Sequence, residues 1–104
     1  MYTVIFVTAS SKEEAKKIAE SLLADKLIAC ANIIEKVTSI YLWEGKIENS
    51  EEVLMVIKTK EELFDKVAAK VKSLHSYSVP EIISLPIEKG NKDYLSWIEE
   101  CVKQ

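Results

Sequence analysis

One stretch constrains this fold more than any other. Residues 28–60 read IACANIIEKVTSIYLWEGKIENSEEVLMVIKTK, one long β-hairpin with Glu44-Gly45-Lys46 at its bend. The outgoing arm, 33–43, is rich in β-branched and aromatic residues and holds neither Gly nor Pro, as a strand should. The return arm, 53–59, is the apolar run VLMVI closed by Lys58 and Thr59. Alternation places Val37, Ser39, Tyr41 and Trp43 on one face and Thr38, Ile40 and Leu42 on the other. Both faces are therefore still apolar near the bend, where a hairpin should be leaving the protein. An arm of roughly 14 residues reaches about 45 Å, whereas a compact domain of about 100 residues is roughly 35 Å across. The hairpin outruns its own domain, and its tip is too apolar to stand in water. Such a chain is expected to associate, most simply with copies of itself.

The 104 residues are expected to form a single domain, 1–104, with one core. Hydrophobic residues at 48%, charged residues at 30% and only two Gly and two Pro exclude disorder and low complexity. No apolar run approaches the 18 or so residues that a membrane span needs, so none is expected. The opening MYTVIFVTAS has no basic region and reads as a strand rather than a signal peptide, so the cytoplasm is the expected location. A formal charge of −3 without a basic stripe argues against a nucleic-acid partner. Cys30 and Cys101 lie far apart without a CxxC spacing and are expected to be free thiols. Abundant Lys and Glu with few Asn and Gln is a thermophile-like usage.

In chain order, YTVIFVT (2–8) is a two-sided strand. Ser10 or Ser11 caps a helix with Glu13 and Glu14 in its first turn. Its buried stripe is Ala15, Ile18, Ala19, Leu22 and Leu23. After the hairpin, Thr59 is the expected cap of a second helix that carries Leu63, Phe64, Val67, Val71 and Leu74 up to His75. Pro80 stops it, 81–87 forms a fourth strand with Pro86 marking an edge or a bulge, and Tyr94, Leu95, Trp97, Ile98 and Val102 define a last helix. The pattern β-α-β-β-α-β is the α+β, ferredoxin-like sandwich, here with a long hairpin and an extra C-terminal helix.

No nucleotide-binding, Ser-hydrolase or zinc-protease motif is present, so no enzyme is expected; a reaction using His75 as acid or base ranks last. His75, the only histidine, reads either as a helix-end residue or as a metal ligand. Cys30 reads either as a packed thiol or as a second ligand. Tyr41, Trp43 and Tyr77 exceed what the core needs and suit an interface or the wall of a cleft between subunits.

LIACAN (27–32), SIYLWEGKI (39–47), Lys58-Thr59, HSYSVPEI (75–82) and YLSWI (94–98) follow one another with a spacing that resembles the CutA family, named for divalent-cation tolerance. The resemblance covers essentially the whole chain. It implies a ferredoxin-like homotrimer, related in architecture to the PII signalling proteins, in which long hairpins knit the subunits together. It also implies a link to copper and other divalent cations, weakly bound here. The expected cleft at the subunit boundary is lined by Tyr41, Trp43, Lys58, Tyr77 and Glu81, with His75 and Cys30 as metal candidates. Two departures stand out. Ser76 occupies a position where Pro is common, which should loosen the turn, and Val7 and Leu74 stand where some members have further ligands. A trimeric scaffold for another protein is the alternative reading.

Overall fold

The computed structural model describes residues 1–103; Gln104, the last residue of the expected domain, lies outside them. Element order is β1 (Tyr2–Ala9), α1 (Lys12–Ala24), β2 (Cys30–Trp43), β3 (Lys46–Lys60), a 3-10 turn (Glu61–Leu63), α2 (Phe64–Leu74), β4 (Ile82–Pro86) and α3 (Lys92–Cys101). The strands form one antiparallel sheet in the order β2-β3-β1-β4, the ferredoxin-like arrangement. Pro86 falls on the edge strand β4, where a missing N–H does least harm.

The core is built on one face of the sheet. Ile5 pairs with Ile57 and Val7 with Met55, and all four pack with Ala15, Ile18 and Leu22 of α1 and Val67 and Val71 of α2. Val7 is thus fully buried in the core. Ser11 is the cap of α1, accepting from the Glu14 N–H at 3.1 Å. The helix closes on Lys26, which takes the left-handed conformation at φ 57° while Leu27 N–H returns to the Leu22 carbonyl.

Three expectations need correction. Leu23 and Leu74 are 43% and 40% exposed, so both helical stripes are narrower than their apolar lettering suggests. Thr59 does not cap the second helix. Alternation continues through it, it pairs with Thr3, and its buried hydroxyl donates to the Leu27 carbonyl at 2.6 Å. Lys60 takes the cap position but its side chain does not bond the turn's backbone, and the 3-10 turn bridges to α2.

The hairpin bend is also tighter than expected. Trp43 pairs directly with Lys46, leaving Glu44-Gly45 as a two-residue turn with φ 51° and 79°. Positive φ at both positions is the turn geometry that continues strand twist, and Gly45 supplies the second at no steric cost. Fourteen residues of β2 extend roughly 45 Å, matching the longest dimension of the molecule, 44 Å. At the opposite end of the sheet, Tyr2 and Lys60 both donate to the Glu99 carboxylate, at 3.0 Å each, and anchor α3.

Candidate functional site

β1 ends where Ala9 pairs with Val53, and β2 and β3 run on past it. The overhanging hairpin and the segment after α2 enclose an open cleft of about 870 Å³. Register decides what the hairpin presents there. Tyr41 stands opposite Glu48, Ser39 opposite Ser50, and Val37 opposite Glu52, so residues at every second position of both arms share that face. Trp43 lies further toward the tip. Tyr77, Val79 and Glu81 form the facing wall.

The cleft is polar in a particular way. Glu48, Glu52 and Glu81 line it, and among the described residues no Lys, Arg or His does. Glu52 is only 9% exposed. The Tyr77 hydroxyl donates to its Oε2 at 2.8 Å, and the Tyr41 hydroxyl lies 3.4 Å from Ser50 Oγ. Burial, followed by the bond to the Glu52 carboxylate, pushes the Tyr77 phenol well above its ordinary value. None of the three glutamates takes part in an ion pair among the described residues.

His75 is the C-cap of α2, and its side chain is wholly buried. Nε2 lies 2.7 Å from the Thr8 carbonyl, while Nδ1 accepts the Tyr77 N–H at 3.0 Å. The ring also packs against Tyr77, with centroids 4.7 Å apart. With Nδ1 accepting, Nε2 carries the donated proton, so both nitrogens are committed to the fold and neither offers a lone pair to a metal. The histidine ties the end of α2 to β1 and sets Tyr77 in place. Replacing His75 by Ala is expected to cost about 2 to 4 kcal/mol, more than the 1 to 2 kcal/mol of a helix-end charge, because it leaves a cavity and two unpaired backbone groups. Urea denaturation at fixed protein concentration measures this; a loss below about 1 kcal/mol would count against it.

Ser76 does not loosen the turn. Its N–H, which a Pro would lack, donates to Glu14 Oε2 at 2.7 Å. The other oxygen of Glu14 accepts the Ser10 N–H and hydroxyl, both at 2.9 Å. Burial would raise the Glu14 carboxyl, but these bonds outweigh it and hold the pKa at about 2.

Four of the five expected cleft residues are brought together: Tyr41, Trp43, Tyr77 and Glu81. Lys58 is not among them. It pairs with Cys30 and Val4, its ammonium bonds Asn32, and it stands six positions along β3 from Glu52, roughly 20 Å. Cys30 shares that distant end, where its Sγ lies 3.6 Å from the Tyr94 hydroxyl. Thr8, the partner of His75, is four residues further along β1 than Val4, so His75 and Cys30 do not meet. Among the described residues no group of three His, Cys, Asp or Glu could share a metal ion. The residues of one chain do not fit a chelated copper. Sequence reasoning missed Glu48, Ser50 and Glu52. A two-residue turn at Glu44-Gly45 would have found them, since it sets all three on the face of Tyr41 and Trp43.

A family model described as CutA1 divalent ion tolerance protein matches residues 3–101. The divalent-cation tolerance protein CutA of Archaeoglobus fulgidus is 48% identical over 103 residues, 99% of this chain and 100% of the relative. The chloroplastic protein CutA 1 of Oryza sativa is 44% identical over 97% of this chain, which spans only 57% of that longer relative. Among solved structures, the divalent cation tolerance protein Cut A1 of Thermus thermophilus superposes with a TM-score of 0.97 at 43% identity, covering 99% of this chain and 100% of that one. A match over nearly the whole chain in both sequence and fold leaves one assignment: this chain belongs to the CutA1 divalent ion tolerance family.

Proposed function

We propose that the chain works as a cytoplasmic homotrimer in tolerance to divalent cations. In this reading it binds a small positively charged ligand in the cleft between the hairpin and the 77–81 segment, which a neighbouring subunit completes. The tolerance role follows from family membership. Support for assembly comes from the apolar surface: Ile40, Leu42 and Ile47 near the tip are 71%, 73% and 75% exposed. On the sheet face away from the core, Ile34, Ile83 and Leu85 are about half exposed as well. Surface of this kind marks an interaction site.

The observation that carries the ligand is Glu52, a carboxylate nine-tenths buried in an aromatic-walled cleft without a cation beside it. Copper enters this reading as a weakly held cation taken by carboxylates, with no contribution from His75 or Cys30. The same exposed hairpin supports a second reading, a scaffold that docks another protein.

Sedimentation equilibrium and Cu(II) calorimetry test these statements together. The expected mass is three times that of one chain. Cu(II) should bind weakly and equally well to the parent and to a Cys30→Ser variant, and less well to Glu81→Gln. A monomer would count against both readings, a trimer that binds no Cu(II) would favour the scaffold, and tight binding lost with Cys30 would restore the thiol as a ligand.

A further inference from the structure

We propose that the cleft selects an organic ammonium cation with an apolar body over a bare metal ion. This rests on the reading that the cleft is the ligand site, and it names the ligand's chemical class. The sign of charge comes first. Among the described residues, the wall that one subunit supplies carries three carboxylates and no basic side chain, so phosphates, nucleotides and carboxylic acids would meet repulsion from it without a counter-charge.

Convergence comes second. A divalent ion needs its oxygen or nitrogen ligands together at roughly 2.0 to 2.6 Å. No three metal-binding side chains meet that condition among the described residues. The carboxylates are instead spread around about 870 Å³, within the size range of small-molecule sites. Spread carboxylates suit a cation that carries its charge at one end of a larger frame.

The walls supply that frame's other needs. Tyr41, Trp43 and Tyr77 offer aromatic faces, which attract ammonium groups within about 6 Å and pack well against an apolar body. Glu52 fixes where the charge should sit. Burial of its carboxylate without a cation is costly, and the Tyr77 hydroxyl holds it at 2.8 Å. His75 in turn holds Tyr77 through the backbone bond at 3.0 Å and the ring contact. An ammonium donating to Glu52 would neutralise that charge without disturbing the phenol.

The test is calorimetric titration of the full chain in its native assembly, at fixed pH and ionic strength, with phenethylammonium, neutral 2-phenylethanol, Mg(II) and Cu(II) in turn. Phenethylammonium should bind saturably and at least about tenfold more tightly than the alcohol. Glu52→Gln should weaken it about tenfold or more while leaving sedimentation and circular dichroism unchanged. Because Glu52 is buried, Glu48→Gln and Glu81→Gln, both at exposed positions, carry the same test, each with a loss of a few fold. Equal binding of the alcohol would overturn the proposal, as would binding indifferent to all three glutamines. Metal binding weakened by those variants, with none of phenethylammonium, would sink the ammonium assignment and leave the cation-binding cleft standing. Failure of every cation to bind would remove both.

Discussion

Replacing Leu42 by Asp is expected to break the assembly, with lighter or aggregated species replacing the trimer in sedimentation equilibrium. In a single subunit the side chain is 73% exposed, pairs across the hairpin with Ile47, and does not line the cleft. If the chain were a monomer, the change would alter stability by no more than about 0.5 kcal/mol. In the proposed trimer the tip is covered by a neighbour, and an aspartate there is a buried charge without a partner. That costs about 3 to 5 kcal/mol per subunit, repeated three times in one assembly. Monomer and trimer therefore differ by far more than the error of a urea midpoint measured at several protein concentrations. A Leu42→Asp protein that kept the parent mass and midpoint would mean the tip stands in water.

Much of this fold can be read from its letters because local rules agree with one another. A hairpin without Gly or Pro in its outgoing arm, a serine pair ahead of two glutamates, and Pro86 in the last strand each narrowed the local structure to one or two forms. The irregularity inside β2 had no such signal. Ile34 pairs with Leu54 and Val37 with Glu52, so Glu35 and Lys36 together oppose Val53. Lys36 sits at φ 63° in a stretch, IIEKV, that contains no residue favouring that region. The bulge has a consequence for the site. Ile33, which pairs with Met55, packs against the core, yet Tyr41, at the same odd parity, faces the cleft. One extra residue turns the arm over.

The site was legible in its aromatic residues and obscure in its charges. Tyr41, Trp43 and Tyr77 are conspicuous because a small core does not need them. Glu52 sits in ENSEEV, which reads as a solvated turn, and only the strand register carries it into the cleft. His75 attracted a chemical reading because it is the only histidine. Its principal partner, the Thr8 carbonyl, lies 67 positions away, and no spacing rule connects them.

Glu14 shows the same long-range logic in a form that pH can measure. Its carboxylate ties the start of α1 to the segment that carries Tyr77, through Ser10 on one side and Ser76 on the other. The side chain is 13% exposed, but its bonds to Ser10 and Ser76 lie at the surface, where solvent screens part of their strength. Its pKa is held at about 2 in the folded chain against an ordinary 4.5. A lowered folded-state value means the stabilisation is fully present above pH 4.5 and is lost as pH falls from there toward 2. By linkage the gap corresponds to at most about 3 kcal/mol, and solvent screening of these surface bonds reduces it. Glu14→Gln should therefore lower stability by about 1 to 2 kcal/mol at pH 6. The difference from the parent should shrink on acidification and nearly vanish near pH 2. Urea midpoints for both proteins at pH 6, 4 and 3, at one protein concentration, give the comparison. A difference that stayed constant with pH would show that the glutamine loses packing alone. A difference near zero at pH 6 would mean that the carboxylate does not hold Ser76, and that His75 and Tyr77 are positioned without it.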